Sequence, residues 1–183
     1  VPFLSMCRRI NERCPGVEWH FFPHVLGLWR FQALKQLQRW LPGAIAHHRY
    51  QYAQYMAVLS KCDLHFSTFP FGGTNSLVDS MLCGVPILTL EGEHVHERCD
   101  AWALRRVGCE GLIHRTIAEY EQHAMALIKD AAARARWSTH LRAQDPDRIF
   151  HGPLSVEAEG AVARAFRWIY EHHEEVQSSD ARV

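Results

Sequence analysis

Thr74, Asn75 and Asp79 stand just beyond a glycine pair, Gly72-Gly73, where an extended apolar stretch gives way to helical spacing. Glycines allow backbone to approach a ligand closely, which makes Gly73 part of a candidate ligand-binding loop. A helix N-terminus after such a loop presents unpaired N–H groups and the positive end of its dipole, which together favour an anion. The chemistry offered is phosphate or diphosphate binding, with Thr74 and Asn75 adding donors of their own. Asp79 falls one turn along the face that carries Asn75, where its carboxylate would accept from hydroxyls. Without a ligand, Asn75 would cap the helix and Asp79 would complement its dipole.

His94 and His96 flank Val95 on a loop that leads into another helix. Such a pair can ligate zinc, but structural zinc takes four ligands and catalytic zinc usually three. No third ligand stands beside them at a suggestive spacing, so donation to a phosphate or helix capping is expected, with no metal. The remaining histidines read as surface or packed residues, and no nucleophile elbow, Cys–His pattern or Walker loop is present.

These residues need elements to hold them. Residues 64–66 begin a strand, Thr74 or Asn75 is expected at the N-cap, and Leu77, Val78, Met81 and Leu82 recur at helical spacing. Gly84 follows as a left-handed C-cap, and residues 85–90 read as a buried parallel strand. Upstream, the pattern predicts a helix over 2–14, a strand over 17–22, a helix over 31–41, a strand over 44–47 and a helix over 50–61. Downstream it predicts a helix over 96–107 and a turn and short strand over 108–113. A capping box at Thr116 and Glu119 then opens a helix that 131–141 extends or follows. A last helix covers 155–175, and 177–183 should be disordered.

Strand and helix thus alternate, the pattern of an α/β, Rossmann-like parallel sheet with helices on both faces, here a single domain over residues 1–176. Ligands of such sheets bind beyond the carboxyl ends of the strands, which selects the loops near Pro23, His47, Thr68 and Glu91. The 20 basic and 20 acidic residues cancel, so no basic face for nucleic acid is evident, and no apolar run is long enough to span a membrane. Six cysteines without scaffold spacing read as reduced thiols of a cytoplasmic protein.

The run Phe69-Pro70-Phe71-Gly72-Gly73-Thr74-Asn75, with Asp79 four further on, resembles the nucleotide-sugar motif of bacterial cytoplasmic N-glycosyltransferases that glucosylate adhesins. O-GlcNAc transferase is a more distant likeness. The agreement continues through Gly84-Val85, Gly92, Val95-His96-Glu97 and Asp100. The resemblance implies the C-terminal, UDP-sugar-binding half of a GT-B fold. It implies an inverting, metal-independent transfer of a hexose from UDP to protein Asn, or Ser/Thr, side chains. It places Asp79 on the ribose, Phe71 against the sugar pocket and Tyr55 rather than Tyr52 under the uracil, with Arg49 and His96 on neighbouring loops. At 47–49 the chain departs from the family's His-x-Pro-like segment. In the resembling enzymes a strand, a loop and a β-phosphate lysine precede the helix that begins here at Pro2. The acceptor protein or peptide would be held by an N-terminal half, also absent, so this chain is expected to be a fragment with its catalytic groups unassigned. A non-catalytic nucleotide-binding module of the same fold, or a transferase acting on non-protein acceptors, are the alternatives.

Overall fold

The structure, a computed structural model, describes residues 2–23, 27–151 and 156–175. α1 (Pro2–Arg13) buries Phe3, Met6, Cys7 and Ile10, which recur at helical spacing, and Pro15-Gly16 stops it. The chain then runs through β1 (His20–Phe21), α2 (Leu28–Trp40), β2 (Ile45–Ala46), α3 (Tyr52–Leu59), β3 (His65–Phe66) and α4 (Thr74–Cys83). It continues with β4 (Ile87–Leu90), α5 (Val95–Arg106), a 3-10 turn at Glu110–Leu112, β5 (Ile113–His114), α6 (Ile117–Lys129) and α7 (Ala131–Ala143). α8 (Pro146–His151) is a short helix that the sequence pattern did not predict, and α9 (Val156–Glu171) follows.

Every strand pair is parallel. β1 pairs with β2, while β3, β4 and β5 form a separate three-stranded sheet in that order. Successive side chains of a strand point to opposite faces, and β3 shows what each face meets. His65 bonds Ser80 of α4, whereas Phe66 packs on Tyr120 of α6 with ring centroids 6.1 Å apart. Helices therefore cover both faces, and the chain has the expected α/β, Rossmann-like class. β4 is the centre of its sheet, with Ile87 and Leu88 fully buried.

The first strand is shorter than the 17–22 predicted, because only His20 and Phe21 stand in register with residues of β2. Thr116 does cap α6 with Glu119 in reciprocal bonds, and Asp130 ends α6 and caps α7, so 131–141 follows rather than extends. Gly84 adopts φ 68°, the left-handed conformation that terminates α4 and that a side chain would strain.

The chain divides into two compact units, Val1–Ile149 and Phe150–Val183. The first holds every strand described. In the second, α9 leaves Phe166, Trp168, Ile169 and Tyr170 exposed. Ser155 and the tail expected to be disordered at 177–183 lie outside the described residues.

Candidate functional site

The 67–73 loop leaves the carboxyl end of β3 and delivers the chain to α4. Gly73, not Thr74 or Asn75, is the N-cap: its backbone is non-helical (φ −115°, ψ 53°), and its carbonyl accepts from Leu77 N–H at 2.9 Å and from Ser76 Oγ at 2.8 Å. Thr74 is already helical, so Thr74 and Asn75 occupy the first turn with exposed side chains and do no capping. The backbone N–H groups of Thr74, Asn75 and Ser76 consequently have no acceptor within the helix. Leu77, Val78 and Met81 bury the opposite face and fix the direction of that end.

A buried carboxylate shapes the loop. Asp100, on the second turn of α5, accepts from the Gly73 N–H at 3.1 Å and from the Ser67 hydroxyl. It lies so close beneath Gly72 that a Cβ there would overlap the carboxylate, which is why the first glycine of the pair is needed. Tyr120 completes the support from α6, its hydroxyl donating toward the carbonyls of Ser67 and Leu88 at 3.2 and 3.0 Å. Beside Ser67, His65 donates from Nδ1 to Ser80 Oγ at 2.6 Å, since the Ser80 hydroxyl is itself given to the Ser76 carbonyl. Burial lowers the His65 pKa to about 4, so it packs as a neutral ring.

Asp79 is half-buried on α4, and Tyr52, from the start of α3, donates to its Oδ1 at 2.7 Å. That bond is the main reason the Tyr52 phenol is pushed up to about 12. Tyr55 is half-buried, edge-on to Phe22 with centroids 5.2 Å apart, and burial raises its phenol too. Tyr52 thus donates to Asp79, while Tyr55 faces Phe22 and also feels the Asp79 carboxylate, an arrangement that helical spacing alone could not give.

Phe71 and His96 come together from different loops. Their rings stack with centroids 4.5 Å apart, and His96 stacks in turn on His94 at 5.6 Å. His94 is the N-cap of α5, its N–H held by Glu97 at 2.8 Å. Arg49 is exposed on the loop between β2 and α3. Near it, Glu18 accepts from His20 Nε2 at 2.6 Å, so His20 Nδ1 accepts from His47 at 2.8 Å and His47 accepts from the Tyr50 hydroxyl at 3.0 Å. Burial holds the His47 pKa below its usual value.

Gly73, Thr74, Asn75 and Asp79 therefore share one helix, with Phe71 and His96 stacked on each other in the adjoining loops, while Tyr55 sits on the neighbouring α3 and Arg49 on the loop that precedes it. Sequence reasoning gave no role to Tyr120, met Asp100 only as a point of family resemblance, and weighed Tyr52 only as the second choice to Tyr55. An acid flanked by Cys99, Ala101 and Ala103 on a helix face was the available signal for Asp100.

No protein-family model matches the chain. It is 36% identical over 139 residues to a UDP-glucose:protein N-beta-glucosyltransferase of Actinobacillus pleuropneumoniae, an alignment covering 72% of this chain and 22% of that protein. It is 33% identical over 89 residues to SPINDLY of Solanum lycopersicum, described as a probable UDP-N-acetylglucosamine–peptide N-acetylglucosaminyltransferase, covering 48% of this chain and 10% of that one. The chain is a homologue of protein glycosyltransferases. Among solved structures it superposes on a Thermobaculum terrenum O-GlcNAc transferase mutant, K341M, with a TM-score of 0.70 and 24% identity over 91% of this chain and 32% of that chain. That likeness concerns the fold. The chain spans under a quarter of the length of the glucosyltransferase it matches.

Proposed function

We propose that this chain is the donor-binding part of a protein glycosyltransferase and that α4 receives the diphosphate of a UDP-sugar at its N-terminus. The observation that carries this reading is the exposed first turn of α4 at the mouth of the 67–73 loop, with Thr74, Asn75 and Ser76 N–H groups free of intrahelical acceptors. Asp79 lies along the same helix to take ribose hydroxyls, exchanging its bond with Tyr52 for bonds to the nucleoside. Phe71 and His96 form an aromatic wall on which the hexose would rest. The names of the relatives supply the donor class.

In the full-length enzyme the hexose passes to a protein Asn or Ser/Thr side chain with inversion and without metal. Negative charge builds on the departing UDP, and amides already aimed at it stabilise that charge without reorganising. Loss of one such donor costs on the order of a hundredfold in rate. Free cysteines at all six positions and the absence, among the described residues, of a helix able to cross a membrane support the cytoplasm as the place of action.

Calorimetric titration with UDP tests the donor reading: Asp79→Ala should weaken binding at least tenfold, and equal affinity in wild type and variant would contradict it. Incubating the full-length gene product with UDP-glucose or UDP-GlcNAc and an Asn-x-Ser/Thr peptide reads the sugar and the acceptor.

A further inference from the structure

The 67–73 loop joins α4 through two consecutive glycines, the residues that lose most conformational freedom when a chain is fixed. Unrestrained, Gly72 and Gly73 would let the rim of the α4 anion site wander, and each bound phosphate would have to freeze it. α5 holds the loop at two points. Phe71 stacks on His96, but that contact lies in solvent, with Phe71 66% exposed. The other point is Asp100, only 3% exposed, where water does not compete for the bonds.

The two oxygens of Asp100 have different surroundings. Oδ2 accepts the Gly73 N–H at 3.1 Å and also the Ser67 hydroxyl, so a single atom ties the last residue of the loop to the first. Oδ1 is fully buried and has no hydrogen-bond partner among the described residues. Gly73 is the N-cap, and its N–H is committed to Oδ2, whereas the next three amides belong to the free first turn. The bond to Oδ2 therefore fixes the peptide plane from which the Thr74, Asn75 and Ser76 amides follow. Asp100 is itself held in place, because Ala101, Ala103 and Leu104 bury the same helix.

We propose that Asp100 is a positioning residue for diphosphate binding, and that it acts as a hydrogen-bond acceptor at one oxygen rather than as a charge. The proposal rests on the donor reading above. Asp100 works through Gly73 and Ser67, so its effect falls on the phosphates and not on the nucleoside, whose ribose is assigned to Asp79. Its charge opposes the site, since a carboxylate behind those amides repels the anion they attract. What Oδ2 supplies is order, and donors already arranged bind an anion without the cost of arranging them. Because Oδ1 holds no donor, exchanging it for an amide NH2 breaks no bond, and Asp100→Asn presents its carbonyl oxygen where Oδ2 stands. Asp100→Glu keeps the charge but adds a methylene beneath Gly72, which is already too close to the carboxylate to carry a Cβ.

The test titrates UDP and uridine into the isotope-labelled chain and its Asp100→Asn, Asp100→Glu and Ser67→Ala variants, with affinities read by NMR. Hydrogen exchange at the Gly73 amide is followed in each without ligand. Asp100→Asn should rescue both readouts, binding UDP at least as tightly as wild type with Gly73 still slow. Asp100→Glu should bind UDP about tenfold more weakly and exchange Gly73 faster, and Ser67→Ala, which removes half of the tie, should lose about threefold. Uridine affinity should be the same in all four, whereas a residue needed only for folding would lower UDP and uridine affinity together. Weakened UDP binding by Asp100→Asn, unchanged binding by Ser67→Ala, or parallel losses for UDP and uridine would overturn the proposal. Should Asp100→Glu fail to fold, the other two variants decide it. A wild-type chain that ignores UDP would overturn the donor reading as well, whereas equal UDP binding by wild type and every variant overturns this proposal alone.

Discussion

Tyr120 and Trp29 are both large aromatic residues on helices, yet Tyr120 has no exposed surface and Trp29 is 75% exposed. The contrast extends to the sheets they accompany. Around β3, β4 and β5 buried polar side chains bond across elements: the Tyr120 hydroxyl serves two strands, one oxygen of Asp100 secures the loop, and Glu91 receives both Arg105 and Arg115. Around β1 and β2, α2 buries none of its residues, Leu28 and Phe31 are exposed with Trp29, and the polar order is a chain of side chains from Glu18 to Tyr50. The loop that would hold the donor is carried by the well-packed sheet. Its floor is made rigid, whereas the apolar surface near β2 is left open.

The comparison breaks most readily at α4. Leu77 is completely buried, and Leu77→Ala should cost about 3 kcal/mol in urea unfolding. A loss near zero would mean that the sheet around β4 is no better packed than the other. Asp100→Ala strands the Gly73 N–H and the Ser67 hydroxyl and should cost about 2 kcal/mol. Gly72→Ala should also destabilise, but much less in an Asp100→Ala background, because the carboxylate it would strike is then gone. Additive effects in that double-mutant cycle would refute the pin.

A smaller and more gradual loss is expected on acidification. Burial lowers His65 from 6.5 to about 4, so between those values the unfolded chain binds a proton that the folded chain refuses. Stability contributed by neutral His65 is complete above pH 6.5 and declines as the pH falls toward 4. Melting temperatures across that window should drop, with a shallower slope for His65→Asn; parallel slopes would place the sensitivity elsewhere, in His47, His114 or His123, whose pKa values burial also lowers. Smallest of all, Trp29→Gln should change stability by no more than about 0.5 kcal/mol, because its ring is already in water.

What the sequence made legible follows the same division. α4, its Gly84 terminator and the buried β4 were readable because burial on one face imposes helical periodicity and burial on two imposes an apolar run. The capping box at Thr116 was readable because its chemistry is local. Gly73 displaced Thr74 and Asn75 as N-cap for a reason 27 residues away: Asp100 takes its N–H, and no local pattern reports a bond over that separation. The assignment of Tyr52 to Asp79, and the pairing of Phe71 with His96, likewise depend on how α3, α4 and α5 are set against the sheet. β1 was overestimated because aromatic content signals a strand even where one edge has no partner.

The account turns on whether the first turn of α4 grips a diphosphate. Titrating the isotope-labelled chain with UDP and following its amide resonances asks this directly. The Thr74, Asn75 and Ser76 amides should shift most and saturate together at or below millimolar UDP, with Asp79→Ala abolishing most of the response. Unmoved signals for those three at millimolar UDP, or shifts confined to residues away from α4, would contradict it.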